Sequence, residues 1–185
     1  PLLKLFSILV MFFSTSFIFP IITSLIYEDG AMSVFVITFL IVFIVGFIGW
    51  LISRNTVEDM SHKDGFLVIT LFWVVLSSAG SIPFMLSGMT FIDSFFESMS
   101  GITTTGATVI SNLSTLPESL LLYRQLLQWM GGMGLIVLAI AVMPLLGIGG
   151  GQLYKTERPG AMNDQKLTPR LKETAQALWL IYLLL

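Results

Sequence analysis

Four apolar runs, each about 20 residues long, restrict what this sequence can fold into. They occupy residues 5–27, 31–52, 65–86 and 119–143. Hydrophobic residues make up 55% of the chain and charged residues only 11%, a balance that excludes an ordinary soluble domain. The sequence therefore predicts an all-α polytopic membrane protein. Its first run is expected to be an anchor, because it is longer than the apolar core of a secretory signal peptide.

A stretch of small and hydroxyl-bearing residues, SMSGITTTGAT at 98–108, lies between the third and fourth runs. The apolar segment before it, 91–99, is too short to cross a bilayer. We therefore expect a short helix that enters the membrane and returns, followed by non-helical backbone. Such backbone is tolerated at membrane depth only where it is buried in protein or lines a water-filled path. Because Gly106 permits backbone angles that turn successive carbonyls toward one axis, this segment is a candidate ion filter.

An ordinary loop rich in Thr, Ser and Gly is the alternative to a filter, and the basic residues help to decide between them. Eight of the nine fall on one side if the chain's start, the loop 53–64 and the segment 147–172 share that side. Arg124, at the interfacial start of the fourth run, lies opposite, so the positive-inside rule makes the eight-residue side cytoplasmic. This topology requires that 91–107 re-enters the membrane instead of crossing it.

Several residues carry more specific expectations. Gly46 and Gly49, and the GGMG run at 131–134, predict close contacts between helices. Thr90 or Asp93 is expected to cap the short helix. Glu97, one turn further along, is expected either to attract cations or to hold the filter backbone in place, and the sequence does not choose between these roles.

Other classes of function find no support in the sequence. There is no cysteine, and His62 with Glu58 and Asp59 in a hydrophilic loop is a poor set of metal ligands. The glycine-rich run 147–151 lacks both phosphate-binding motifs. An enzyme is not predicted, because no G-x-S-x-G element accompanies the serines. The small net charge of −2 does not favour nucleic-acid binding, and no organic cofactor is expected.

Two stretches, FFESMSGITTTGATVISNLSTLP and YRQLLQWMGGMGLIVLAIAVMPLLGIGGGQLYKTERPG, resemble the first pore repeat of the TrkH family. These are the membrane subunits of Trk potassium uptake systems, within the Trk/Ktr/HKT superfamily. The resemblance implies potassium uptake through a channel-like pore, with Glu97 supporting the filter and with the potassium ion at Thr104, Thr105 and Gly106. The implied filter residues are Thr103, Thr104, Thr105, Gly106 and Ala107. Potassium channels have a second glycine and an aromatic residue where Ala107 and Thr108 stand here, so the choice among K+, Na+ and Rb+ stays open.

The resemblance also implies the setting of the protein. Such subunits lie in bacterial inner membranes as homodimers and associate with cytosolic, nucleotide-binding RCK-type subunits. The implied divisions are two leading helices (1–53), a helix, pore-loop, helix repeat (65–147), a cytoplasmic connector (148–169) and the start of a second repeat (170–185). Further sequence is expected after this start, because the last apolar run is too short to span a bilayer. A cation-coupled secondary transporter, or symporter, with an occluded site at the same broken segment is the alternative function.

Overall fold

A computed structural model describes residues 2–55, 62–142 and 177–184, and no strand occurs among them. The α-helices in these ranges are α1 (Leu2–Ser14), α2 (Ile18–Tyr27), α3 (Met32–Ser53), α4 (His62–Leu86), α5 (Phe91–Ile102) and α6 (Glu118–Val142). Residues 177–184 are also helical. The predicted all-α fold is confirmed, since each apolar run coincides with helix wherever the structure describes it.

Within residues 2–55, 62–142 and 177–184, two helical stretches are long and apolar enough to cross a membrane. Leu2–Tyr27 has a mean hydropathy of 2.3 and Met32–Ser53 of 2.9, and a shorter apolar stretch occupies Thr70–Leu86. Helix α4 begins at His62, so the end of the predicted loop 53–64 belongs to this helix. Glu58, Asp59 and the predicted connector 148–169 lie outside the described residues. No group of three or more His, Cys, Asp or Glu side chains suited to a metal occurs in the part that is described.

The chain divides into two compact units, residues 1–131 and 132–185. The first unit contains α1 to α5, the beginning of α6 and all the predicted filter residues. In the second unit, a Cβ added at Gly132 would lie 3.2 Å from Cζ of Tyr182, so this part of α6 packs closely against the helix at 177–184. The division of the chain into repeats and a connector stays a prediction.

A 3-10 turn at Thr15–Phe17 joins α1 to α2, and Pro20 explains it. Proline has no N–H to donate to the carbonyl four residues earlier, so the turn before it is free to tighten. The hydroxyl groups of Ser14, Thr15 and Ser16 each donate to the carbonyl three residues earlier, at 2.6–2.7 Å. The two helices therefore form one apolar stretch of 26 residues, as predicted from the first run.

Helices α1 and α3 approach each other closely at two glycines of α3. A Cβ at Gly46 would lie 2.8 Å from Cγ of Met11 and 3.0 Å from the carbonyl oxygen of Ser7. At Gly49, a Cβ would overlap the hydroxyl of Ser7. The predicted close helix contact is confirmed, and its partner is α1.

Tyr123 of α6 lies at the centre of the core. Its ring is fully buried, and its centroid is 5.5–5.6 Å from those of Phe17, Phe35 and Phe84. Its hydroxyl donates to the carbonyl of Gly80 at 2.9 Å, which satisfies the polar end of a buried side chain. Four segments of the chain thus meet at one side chain, so the leading helices hold α6 in place together with α4.

Helix α5 has 12 residues and ends against α6. At about 1.5 Å per residue it is about 18 Å long, well short of the bilayer core of about 30 Å. A Cβ at Gly101 would lie 2.9 Å from Cβ of Leu127. At Gly131, a Cβ would overlap the carbonyl of Ile102, the last residue of α5. The close approach predicted for 131–134 is therefore confirmed at Gly131, where it fixes the end of the short helix.

Candidate functional site

The short helix α5 begins at a cap formed by Thr90. The Thr90 hydroxyl accepts a hydrogen bond from the N–H of Asp93 at 3.2 Å and donates one to Oδ2 of Asp93 at 2.7 Å. Thr90 is therefore the capping residue of the two that the sequence suggested. Both the N–H and the carboxylate of Asp93 are hydrogen-bonded to Thr90, so the cap explains the presence of this charged residue in the first turn of α5.

After α5, the backbone of residues 103–107, here called the 103–107 segment, alternates in handedness. Thr103 has a φ of −79°. Thr104 has a φ of 59° and Gly106 a φ of 74°, whereas φ of Thr105 between them is negative. The left-handed conformation expected at Gly106 is present, and the one at Thr104 was not foreseen. A left-handed conformation costs a non-glycine residue about 1–2 kcal/mol, and strain of this kind occurs preferentially at functional sites.

The N–H groups of the 103–107 segment point back at α5. Four of them donate to carbonyl oxygens in the last turn of α5, at 2.9–3.3 Å, and the donors are Thr103, Thr104, Thr105 and Gly106. These bonds satisfy carbonyls that a helix end otherwise leaves without partners. Because the peptide bonds are trans and planar, the C=O of each unit points opposite to its N–H. The carbonyls of Ile102, Thr103, Thr104 and Thr105 therefore point away from α5.

These carbonyls have two different surroundings. The Ile102 carbonyl lies against Gly131 of α6. Among residues 2–55, 62–142 and 177–184, no hydrogen bond ends on the carbonyl oxygens of the four residues that follow, Thr103, Thr104, Thr105 and Gly106. Residues 104–109 are exposed. The site thus presents backbone oxygens that no protein donor in these ranges occupies.

Ala107 differs from the four residues before it. Its carbonyl oxygen accepts a hydrogen bond from the hydroxyl of Ser100 at 2.6 Å, so it is directed toward α5. The hydroxyls of Thr103 and Thr105 contact each other at 2.8 Å. Of the five predicted filter residues, Ala107 therefore anchors the segment, together with Ser100, which the sequence did not single out.

Glu97 lies behind the polypeptide that continues the segment. It is only 3% exposed, and its Oε1 accepts hydrogen bonds from the hydroxyl of Thr108 and from the N–H of Val109, the latter at 2.7 Å. Its Oε2 accepts a hydrogen bond from Nε of Arg124 at 3.1 Å, and Arg124 is itself 8% exposed. The sequence placed Arg124 at an interface, whereas the structure buries it against Glu97. Opposite charges on two helices of the predicted repeat were the only signal in the sequence for this pair.

A loop from outside the predicted repeat reaches the start of α6. Oδ2 of Asp29 accepts a hydrogen bond from the N–H of Ser119 at 2.8 Å, and Oδ1 accepts one from the N–H of Ala31 at 3.0 Å and one from the hydroxyl of Ser24. Burial raises the pKa of Asp29, but these hydrogen bonds outweigh burial and lower the pKa to about 2. An ionised carboxylate thus caps the helix that carries Arg124.

A family model described as TrkH, cation transport protein, matches residues 31–185, which is most of the chain. The chain belongs to the TrkH family. The Trk system potassium uptake proteins TrkH of Salmonella typhimurium and of Vibrio parahaemolyticus are each 49% identical to it, over 98% of the chain. TrkI of Halomonas elongata is 30% identical over the same share. The resemblance seen in the sequence is confirmed.

A solved structure agrees with this membership. The crystal structure of the potassium transporter TrkH from Vibrio parahaemolyticus matches with a TM-score of 0.82 and 44% identity, over 98% of this chain and 36% of that one. The chain spans 38% of the length of the TrkH relatives from Salmonella and Vibrio. Membership in a TrkH transporter family supports the predicted membrane fold and the prediction that the chain is not an enzyme.

Proposed function

We propose that this chain takes part in potassium uptake through a channel-like pore, and that the 103–107 segment is part of the ion filter. The observation that carries the proposal is the row of carbonyls at Thr103, Thr104 and Thr105, which point away from α5. A dehydrated cation needs such oxygens in place of its water shell. The relatives named as potassium uptake proteins support K+ as the ion.

In this proposal, K+ exchanges water for the carbonyl oxygens of Thr104, Thr105 and Gly106, with Thr103 next along the path. The carboxyl-terminal end of α5 lies directly before the segment, and its partial negative charge favours a cation. The hydrogen bonds from its N–H groups to α5 keep the segment in place when its carbonyl oxygens bind the ion. One segment supplies only part of a coordinating ring, so we expect further repeats of the same kind to complete it.

The wider setting forms part of the same proposal. On the resemblance to Trk subunits, the protein lies in a bacterial inner membrane as a homodimer, and its cytoplasmic side meets nucleotide-binding RCK-type subunits. The clustering of eight basic residues in the predicted cytoplasmic segments supports this orientation. K+ uptake can also be measured in proteoliposomes with and without a Na+ or H+ gradient. Uptake that requires such a gradient would instead favour the symporter alternative.

The test of the filter is Gly106→Ser in the natural full-length polypeptide that contains these residues. Among the described residues, only Nε2 of Gln128 would lie within 4 Å of a Cβ at Gly106, at 3.7 Å, so the φ of 74° opposes the substitution and crowding does not. The strain of about 1–2 kcal/mol is relieved by rotating the peptide units, which displaces the carbonyls. We expect the K+/Na+ uptake ratio to fall about tenfold at matched membrane abundance.

Gly88→Ser is the matched control. Gly88 also has a left-handed conformation, with a φ of 97° and no atom of the described residues within 4 Å of an added Cβ, but it lies in the turn before α5. It should lose a similar amount of stability and keep the wild-type K+/Na+ ratio. If Gly106→Ser also keeps that ratio, residues 103–107 form an ordinary loop and the filter assignment is wrong.

A further inference from the structure

The two ends of the exposed loop after α5 are held by different residues of that helix. Residues 103–107 are bonded to the last turn of α5 through backbone N–H groups and Ser100. Beyond Ala107, the bonds from Thr108 and Val109 to the rest of the described protein both end on Oε1 of Glu97. The N–H of Ile110 donates to the hydroxyl of Thr108. The outer continuation of the segment is therefore anchored at one carboxylate oxygen.

That carboxylate is in turn held by Arg124. A nearly buried charge is costly unless it is paired, and Nε of Arg124 at 3.1 Å from Oε2 supplies the partner. The two carboxylate oxygens have different partners, since Oε2 accepts a hydrogen bond from Arg124 and Oε1 accepts one from the N–H of Val109 in the loop. The bond from Nε of Arg124 holds Oε2 and so restrains the carboxylate group that also carries Oε1.

We infer that Arg124 and Glu97 form a clamp that positions the outer end of the ion filter and so contributes to ion selectivity. The inference rests on the proposed function and deepens it. Glu97 is a positioning residue in this account, because its oxygens are occupied by protein donors and do not face the ion. Arg124, carried by α6, transmits the position of that helix to Thr108 and Val109.

Thr108→Val tests the clamp with little risk to folding, because Thr108 is exposed and valine has the same shape. It removes one of the two donors to Oε1 of Glu97. We expect the K+/Na+ uptake ratio of the full-length protein to fall about two- to tenfold at unchanged membrane abundance, the range for one lost hydrogen bond. Thr115→Val is the matched control, since it loses an exposed hydroxyl bond to the carbonyl of Asn112 in the same loop. It should keep the wild-type ratio.

A charge exchange separates the clamp from a simple ion pair. The double variant Glu97→Arg with Arg124→Glu restores opposite charges on the two helices. It removes the acceptor for the N–H of Val109, because a guanidinium cannot accept hydrogen bonds. The clamp predicts a low K+/Na+ ratio at matched abundance, whereas an ion pair that only stabilises the fold predicts the wild-type ratio.

A wild-type ratio in either Thr108→Val or the charge-exchanged variant overturns the clamp. Gly106→Ser distinguishes this failure from failure of the filter itself. If Gly106→Ser lowers the ratio and Thr108→Val does not, the filter assignment stands and the clamp is wrong. If neither substitution lowers it, the 103–107 segment does not select ions.

Discussion

Replacing Asp29 by Asn tests whether a loop outside the predicted pore repeat stabilises α6. The carboxylate reaches the N–H of Ser119, which is 90 residues away in the sequence, at 2.8 Å. Its hydrogen bonds lower the pKa of Asp29 from 3.8 to about 2 in the folded protein, against the opposing effect of burial. At about 1.36 kcal/mol per pKa unit, and discounted for solvent screening because the carboxyl is partly exposed, ionisation of Asp29 contributes about 1 kcal/mol to the free energy of unfolding.

The sign of the pH dependence follows from the lowered pKa. The folded protein binds the proton of Asp29 less readily than the unfolded chain does, so the stabilisation is complete above pH 3.8 and is lost as the pH falls toward about 2. Asparagine cannot ionise and resembles the protonated carboxyl. Asp29→Asn is therefore expected to be about 1 kcal/mol less stable than the wild type at neutral pH and about equally stable near pH 2.

The measurement is thermal or denaturant unfolding of the purified full-length protein in detergent, over a series of pH values. Glu28→Gln is the control, since Glu28 is the neighbouring exposed carboxylate and forms no hydrogen bond among the described residues. It should follow the wild-type curve. Equal stability of Asp29→Asn and the wild type at pH 7 would refute the capping role of this loop.

Two further predictions concern the base of the proposed filter and the predicted topology. Gly131→Ala places a Cβ on the backbone carbonyl of Ile102, which cannot move aside as a flexible side chain does. We expect a loss of about 1–3 kcal/mol in stability and reduced K+ uptake. Wild-type values for both would show that the two backbones can move apart at little cost in free energy. A cysteine at Asn112 should react with an impermeant label added to intact cells, and one at Lys155 should not. The reverse pattern would show that the predicted topology is wrong and that the two loops lie on the opposite sides of the membrane.

The helices of this protein follow from the local sequence. An apolar segment of bilayer length can satisfy its backbone only within itself, so the four runs coincide with helices wherever they are described. The short α5, its cap at Thr90 and the left-handed Gly106 also follow from nearby residues, because helix capping and glycine's freedom act over a few positions. The glycines at 46, 49 and 131 predicted close contacts between helices, because a residue without a side chain lets a neighbouring helix approach.

The partners in those contacts depend on tertiary structure. Gly131 meets the carbonyl of Ile102, and the left-handed Thr104 results from N–H groups that bond back to α5. The sequence left two roles for Glu97, because a carboxylate at that position serves either one equally well. Its donors come from Thr108 and Val109, and from Arg124, 27 residues away. Hydropathy and charge patterns record how a segment divides between lipid and water, whereas the side chain that a buried charge meets is decided only when distant helices pack.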